Sequence, residues 1–95
     1  MHTKSKHNIH TTCIQAAAEA DPATGAVSVP IYQSSTFAFE SAQDGANKFS
    51  GKTPGFIYTR IANPTINALE TAVATLENGF RGIATASGMA ATSAV

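Results

Sequence analysis

Large side chains and charged groups are both scarce in this 95-residue chain. It has no tryptophan, one cysteine and two leucines, and its 6 basic residues balance 6 acidic ones to give a net charge of zero. Alanine, glycine, serine and threonine supply 45 residues, whereas leucine, isoleucine, valine and phenylalanine supply 18. Small side chains bury little apolar surface, and apolar burial is the main favourable term in folding. The composition is therefore typical of one part of a larger folded unit.

The low charge excludes several classes of protein. Disordered chains combine few large apolar residues with a high net charge, and this chain has only the first property. A neutral chain lacks the electrostatic attraction that binds nucleic acid or an acidic membrane surface. No apolar run approaches the roughly 20 residues of a membrane span, and the opening MHTKSKHNIH has no apolar stretch typical of a secretory signal. We expect a cytoplasmic protein that binds neither nucleic acid nor membrane.

The cysteine and histidine content predicts neither a disulfide framework nor a metal site. Cys13 is the single cysteine, so no disulfide can form within the chain. His7 and His10 lie about one helical turn apart, but no cysteine or carboxylate is placed to complete a tetrahedral site. We therefore expect no bound metal.

The first half of the chain shows few regular elements. Residues 1–25 are polar and alanine-rich and close on a turn sequence, DPATG, which indicates an arm. Residues 26–39 are rich in β-branched and aromatic side chains, but Pro30 lacks an amide hydrogen and restricts them to an extended edge segment. A short helix that begins near Ser41 is predicted within residues 40–49, and a loop rich in glycine and proline follows it.

The clearest element is a helix over residues 64–78. Asn63 is a good N-cap, Pro64 suits the first helical position, and Gly79 can close the carboxyl end. Four large apolar residues recur at helical spacing and predict the buried face: Ile66, Leu69, Val73 and Leu76.

A strand followed by the start of another helix is predicted after Gly79. Residues 81–86 (RGIATA) form a short strand candidate, and Ser87-Gly88-Met89 leads into the helix. A single strand cannot bury a sheet face, so an α/β layer that begins here has no partner strands within the 95 residues. Unpaired amides at such a strand-to-helix turn can bind an anion, which makes Ser87-Gly88-Met89 a candidate phosphate site, although many such turns bind nothing.

A second candidate anion site precedes the predicted helix. The Arg60 guanidinium offers bidentate hydrogen bonds to a phosphate, and the Tyr58 phenol offers another donor. Residues two apart in an extended segment share a face, so the two side chains can converge on one anion.

A third phosphate candidate is a formal match to the relaxed P-loop pattern, and it ends in Gly51, Lys52 and Thr53. A nucleotide-binding loop needs a buried strand before it and a helix after it. Here a helix-like segment precedes the glycine and Pro54-Gly55 follows the threonine. A nucleotide-binding P-loop protein is therefore the alternative with the weaker structural context.

Three segments together resemble a known family. GAVSVPIYQSSTFAF at 25–39, GFIYTRIANPTINALE at 55–70 and ATASGMAA at 84–91 are similar to the amino-terminal region of the pyridoxal-phosphate-dependent enzymes of cysteine and methionine metabolism. That family includes methionine gamma-lyase, cystathionine gamma-lyase, cystathionine gamma-synthase and O-acetylhomoserine sulfhydrylase. The resemblance implies the α/β type I aminotransferase fold, with residues 1–60 as an intersubunit arm and residues 61–95 as the start of the cofactor-binding domain.

The resemblance also implies roles for the two anion sites. Tyr58 and Arg60 match the residues that reach across a subunit interface to the phosphate of the neighbouring chain's pyridoxal 5′-phosphate. Gly88 and Met89 match the residues whose backbone amides bind the phosphate in their own chain. Phe49 matches a position near the neighbouring active site. A homo-oligomer, a dimer of dimers, is implied by the same family.

The activity implied by the resemblance is elimination or replacement at the γ carbon of a sulfur amino acid or an O-acylhomoserine. The SGM sequence and the spacing of GFIYTR look closer to methionine gamma-lyase and the cystathionine enzymes than to the long sulfhydrylases. The family's chemistry also needs a Schiff-base lysine, an aspartate at the pyridine nitrogen and an aromatic ring stacked on the cofactor, and none of these can be placed in this chain. We therefore expect an amino-terminal fragment with no catalytic residue and no activity of its own.

This interpretation predicts how the chain reacts with pyridoxal phosphate. After borohydride reduction, peptide mass spectrometry should find no lysine labelled above the level of free lysine under the same conditions. The sequence places none of the four lysines in a segment expected to bury it: Lys4, Lys6, Lys48 and Lys52. A stable adduct at one particular lysine would contradict the expectation.

Overall fold

The computed structural model describes residues 8–16 and 19–95, so the predictions that involve Lys4, Lys6 and His7 lie outside the described residues. The described residues contain four helices: α1 (Ile9–Gln15), α2 (Ala42–Ser50), α3 (Pro64–Leu76) and α4 (Gly88–Ala94). None of these helices has the length and apolar character needed to cross a membrane.

The chain divides into two compact units. One unit is Ile31–Asn67, which contains α2 and the residues that lead into α3. The other comprises the described part of residues 1–30 together with Ala68–Val95, and it contains α1, most of α3 and α4.

The predicted arm contains a helix that the sequence pattern did not reveal. The Asn8 side chain caps α1 by accepting a hydrogen bond from the Thr11 amide at 3.1 Å. With seven residues, α1 is too short to show a clear helical period, and its cap residue was the available signal. The predicted turn at Asp21 is present, because its carboxylate accepts the Thr24 amide at 3.0 Å and Gly25 has φ 76°.

The α2 helix confirms the short helix predicted near Ser41. The Ser41 hydroxyl accepts the Asp44 amide at 3.0 Å at the amino end. Gly51, with φ 80°, ends the helix in the left-handed conformation that glycine adopts without steric cost. The Asp44 carboxylate and the Lys48 ammonium, one turn apart, lie 3.1 Å from each other.

The α3 helix begins at the predicted residue, Pro64, but ends at Leu76 instead of continuing to Asn78. Asn78 adopts φ 54°, and the Gly79 amide donates to the Ala74 carbonyl at 2.8 Å. Asparagine tolerates the left-handed conformation, so Asn78 takes the closing position that the sequence suggested for Gly79.

The predicted burial of the α3 apolar face is wrong for this chain. Ile66, Leu69 and Val73 are 40%, 54% and 45% exposed, and Leu76 is half-buried. No hydrophobic side chain is buried anywhere in the described residues. The physical reason is that burial of a helix face requires a second layer, and the described chain supplies none.

The predicted strand over residues 81–86 is also absent. Pairing between extended segments of the described residues is limited to one isolated antiparallel bridge, between Thr36 and Tyr58. A strand exists only with a hydrogen-bonding neighbour, and residues 81–86 have none. The Ala84 amide instead donates to the Glu70 carboxylate at 2.7 Å.

Asp44 makes the structure around α2 dependent on pH. The Glu40 amide donates to this carboxylate at 3.1 Å, and this hydrogen bond, reinforced by Lys48, holds the pKa of Asp44 below its usual value of 3.8. A carboxyl with a lowered pKa stabilises the folded form above the unfolded value, and that stabilisation is lost as pH falls through the folded value. We expect the Glu40 amide to lose its protection from exchange below pH 3.8.

The measurement is an NMR titration of the Asp44 side chain together with the Glu40 amide. In Asp44→Asn the Glu40 amide should lose this acid transition. An Asp44 carboxyl that titrates above 3.8 would contradict the assignment.

Candidate functional site

The structure brings Tyr58 and Arg60 together on the surface of the Ile31–Asn67 unit. The central guanidinium carbon of Arg60 lies 5.4 Å from the centroid of the Tyr58 ring, and both side chains are exposed. Within residues 8–16 and 19–95 the single ion pair joins Asp44 and Lys48, so no carboxylate there neutralises Arg60. The pair therefore presents an unneutralised cation and a phenol to solvent, side by side.

Backbone hydrogen bonds on both sides of Tyr58 hold this pair. The Phe37 amide donates to the Ile57 carbonyl at 3.1 Å, and the Thr59 amide donates to the Ser35 carbonyl at 2.8 Å. The chain then turns sharply, because the Ile61 and Ala62 amides both donate to the Tyr58 carbonyl, at 2.9 and 3.0 Å. Arg60 therefore lies within a turn that precedes α3, and the predicted extended segment over residues 58–60 is wrong.

Asn63 crosslinks the segments around the pair. Its side-chain amide nitrogen donates to the Tyr32 carbonyl and to the Thr59 hydroxyl, both at 3.0 Å. Its side-chain oxygen accepts the Thr65 amide at 2.8 Å, and the residue is only 2% exposed. The sequence indicated the helix cap, but the crosslink to Tyr32, 31 positions away, had no local signal.

An aromatic cluster packs α2 within the same unit. The Phe39 and Phe49 rings meet edge to face at 6.1 Å, and a Cβ atom at Gly45 would lie 2.7 Å from the Phe39 ring. Phe49 is 66% exposed. Its assignment to a neighbouring active site stays a prediction.

The second anion candidate lies at the amino end of α4, in the other unit. The Ser87 hydroxyl caps the helix by accepting the Ala90 amide at 3.1 Å. The amides of Gly88 and Met89 donate to no acceptor in the described part of the chain. A Cβ atom at Gly88 would meet nothing within 4 Å, so the space beside this residue is open.

The segment that leads into α4 is fixed to α3 by two contacts that the sequence did not reveal. The Glu70 carboxylate accepts the Ala84 amide at 2.7 Å. Gly82 packs directly on the same helix, because a Cβ atom there would lie 2.7 Å from the Glu70 carbonyl oxygen. The contacts of Glu70 with Gly82 and Ala84 thus hold the segment that leads to Ser87 and α4.

The segment of the P-loop alternative lies at the wrong end of a helix to bind a phosphate. Gly51 is the carboxyl cap of α2, where helix carbonyls point outward and the dipole is negative. The amides of Lys52 and Thr53, which would have to cradle a phosphate, donate to the Asn47 carbonyl at 2.9 and 3.4 Å. A segment whose amides are occupied at the end of a helix cannot serve as a phosphate-binding loop.

The remaining candidates form no cluster. Within the described residues no group of three histidine, cysteine, aspartate or glutamate side chains could hold a metal ion. Cys13 is a free, exposed thiol.

Comparison with known proteins shows which family the chain belongs to. A model of the Cys/Met metabolism PLP-dependent enzymes matches residues 10–95. The chain belongs to this family. The L-methionine gamma-lyase of Fusobacterium nucleatum subsp. polymorphum is 45% identical over 93 residues, which are 98% of the chain and 23% of that enzyme. The cystathionine gamma-synthase of Mycobacterium bovis is 52% identical over 82 residues, 86% of the chain and 19% of that enzyme.

Solved structures of the family share the path of the chain. An O-acetylhomoserine (thiol)-lyase structure from Campylobacter jejuni superposes with a TM-score of 0.80 and 38% identity, over 90% of the chain and 21% of that structure. It contains N′-pyridoxyl-lysine-5′-monophosphate. The predicted family, its pyridoxal phosphate dependence and its fold class are confirmed. The chain spans about a fifth of the length of these relatives.

The donors present in the chain fit one part of pyridoxal phosphate, its phosphate group. A guanidinium, a phenol and two free helix amides are all hydrogen-bond donors suited to an anion. The aldehyde end has no match in the described residues, because Lys48 contacts Asp44 and Lys52 is exposed in a loop.

The Glu70 contact predicts a measurable effect on the entry to α4. Glu70→Ala should speed hydrogen exchange at the Ala84 amide by about fivefold to tenfold, because a hydrogen bond contributes about 1 kcal/mol net. Glu70→Gln, which keeps a side-chain oxygen, should restore most of the protection. Glu77→Ala, just beyond α3, is the matched control, and an equal change in this variant would contradict the assignment.

Proposed function

We propose that the chain supplies phosphate-binding residues of a pyridoxal-phosphate-dependent enzyme that catalyses γ-elimination or γ-replacement. The substrates would be a sulfur amino acid or an O-acylhomoserine, the classes named by relatives that include a methionine gamma-lyase and an O-acetyl-L-homoserine sulfhydrylase. The observation that carries the proposal is the Tyr58–Arg60 pair, which is exposed, lacks a carboxylate partner in the described residues and is held on a hydrogen-bonded support.

Each residue has a defined task in this proposal. Arg60 donates charge-assisted, bidentate hydrogen bonds to the cofactor phosphate of a neighbouring chain, and Tyr58 donates a further hydrogen bond. Gly88 and Met89 donate their backbone amides to the phosphate in their own chain, assisted by the positive end of the α4 dipole. Pyridoxal phosphate, when bound, supplies an electron sink for charge that develops on the substrate. No residue of the chain is assigned to that chemistry.

The proposal includes an organisation for the longer protein. Residues 1–60 would form an intersubunit arm, and residues 61–95 would begin the cofactor-binding domain of a homo-oligomeric, cytoplasmic enzyme arranged as a dimer of dimers. The exposed apolar face of α3, which includes Leu69 and Val73, supports this organisation because a helix face of this kind requires a covering layer. Tyr58 and Arg60 belong to the segment that would reach a neighbour.

In the full-length enzyme, Arg60→Ala should raise the dissociation constant of pyridoxal phosphate by roughly tenfold to a hundredfold. Each charge-assisted hydrogen bond contributes about 1.5–3 kcal/mol. Arg81→Ala is the matched control, because this arginine also lies against an aromatic ring, with its guanidinium carbon 5.7 Å from the Phe80 centroid. The measurement is cofactor release on dilution, followed by absorbance.

The cross-subunit assignment has its own test. Subunits with Arg60→Ala are mixed with subunits that lack the Schiff-base lysine, so that each hybrid dimer contains one site with both groups intact. We expect mixing to restore a fraction of the activity. If hybrids form and activity does not return, Arg60 acts within its own chain.

A further inference from the structure

We propose that Asn63 is a positioning residue that acts through Thr59 to fix the direction in which Tyr58 and Arg60 present their donors. The inference rests on the proposed function, because it concerns how the phosphate-binding pair is held. It assigns to Asn63 a role beyond capping α3.

The first argument is the choice of side chain. Serine, threonine and aspartate cap helices about as well as asparagine does, since capping requires only a side-chain oxygen. In Asn63 that oxygen accepts the Thr65 amide, which completes the cap. The side-chain nitrogen takes no part in capping, yet both of its hydrogens are used, on the Tyr32 carbonyl and the Thr59 hydroxyl. Only an amide side chain supplies the oxygen and the two donors together.

The second argument is the position of Thr59 between the two phosphate-binding residues. Its amide donates to Ser35, its hydroxyl donates to the Ser34 carbonyl, and the same hydroxyl accepts from Asn63. Thr59 is half-buried, whereas Tyr58 and Arg60 on either side are exposed. The residue between the two donors is thus held by three hydrogen bonds, and the donors themselves remain free to bind an anion.

The third argument is burial. Asn63 is 2% exposed, and a buried amide that loses its partners carries the full cost of desolvation. The network around it therefore favours one arrangement of the turn at Tyr58–Ala62. A small displacement of a donor that must meet a phosphate weakens binding strongly, so this rigidity bears directly on affinity.

The test uses the full-length apoenzyme and two probes, pyridoxal 5′-phosphate and pyridoxal, which differ only in the phosphate. Asn63→Ser keeps a capping oxygen but cannot reach Tyr32 and Thr59. Thr59→Val removes the hydroxyl with little change in shape and serves as the second variant if Asn63→Ser does not fold. Thr59→Ser restores the hydroxyl. Thr65→Val is the matched control, since it removes the acceptor of the Tyr32 amide without touching Thr59.

We expect Asn63→Ser and Thr59→Val to weaken binding of pyridoxal phosphate by about tenfold and to leave binding of pyridoxal within about twofold. Thr59→Ser and Thr65→Val should bind both probes as the wild type does. In an Arg60→Ala background, Asn63→Ser should add less than about twofold, because residues that act through one another are not additive. The thermal midpoint of each apoenzyme reports whether the fold is intact.

The outcomes separate this inference from the proposed function. Equal losses for both probes, or full additivity with Arg60→Ala, would show that Asn63 is merely structural and would overturn the positioning role. If Arg60→Ala weakens binding and neither Asn63→Ser nor Thr59→Val does, the positioning role is wrong and the proposed function stands. If Arg60→Ala leaves the affinity unchanged, both are wrong.

Discussion

Hydrogen bonds from a few polar side chains determine the local structure of this chain, and the crosslink made by Asn63 is the most consequential of them. No apolar side chain of the described residues is buried, so the usual hydrophobic constraint on conformation is weak here. Asn63 joins the segment at Tyr32, the segment at Thr59 and the first turn of α3 through one amide group. The course of the Ile31–Asn67 unit depends on that group.

The same logic applies in the unit that contains α4. Glu70 accepts a backbone amide 14 positions further along the chain and fixes the segment before Ser87. In both units the groups offered to an anion are free, and the groups that support them are occupied. Because neighbouring residues form the internal hydrogen bonds, a binding group can be held rigidly while its own donors stay available for a ligand.

Sequence reasoning predicted the features that depend on neighbouring residues. The helix start near Ser41, the helix that follows Ser87-Gly88-Met89 and the start of α3 at Pro64 depend on local hydrogen bonding and fixed backbone angles, and the structure confirms them. The Tyr58–Arg60 pair was predicted from its chemistry and from the spacing of an extended segment; the two side chains do meet, but through a turn at residues 59–61.

The predictions that were wrong concern features that depend on residues distant in the sequence. Burial of the α3 face and the strand over residues 81–86 both need a covering layer or a neighbouring strand, and the described residues provide neither. The crosslinks of Asn63 and Glu70 were missed for a related reason, since no local pattern indicates which remote amide or carbonyl a polar side chain will reach. The sequence shows that Asn63 and Glu70 are polar side chains able to form hydrogen bonds, but it does not show their partners.

The close contact at Gly82 limits how this region can vary in related sequences. A Cβ atom there would lie 2.7 Å from a carbonyl oxygen on the backbone of α3, and a backbone oxygen cannot rotate away as the end of a side chain can. The obstacle arises at the first carbon of any side chain, so even alanine requires the backbone of α3 or of the Gly82 segment to shift. Any substitution at this position therefore requires a backbone adjustment before the rest of the new side chain is accommodated.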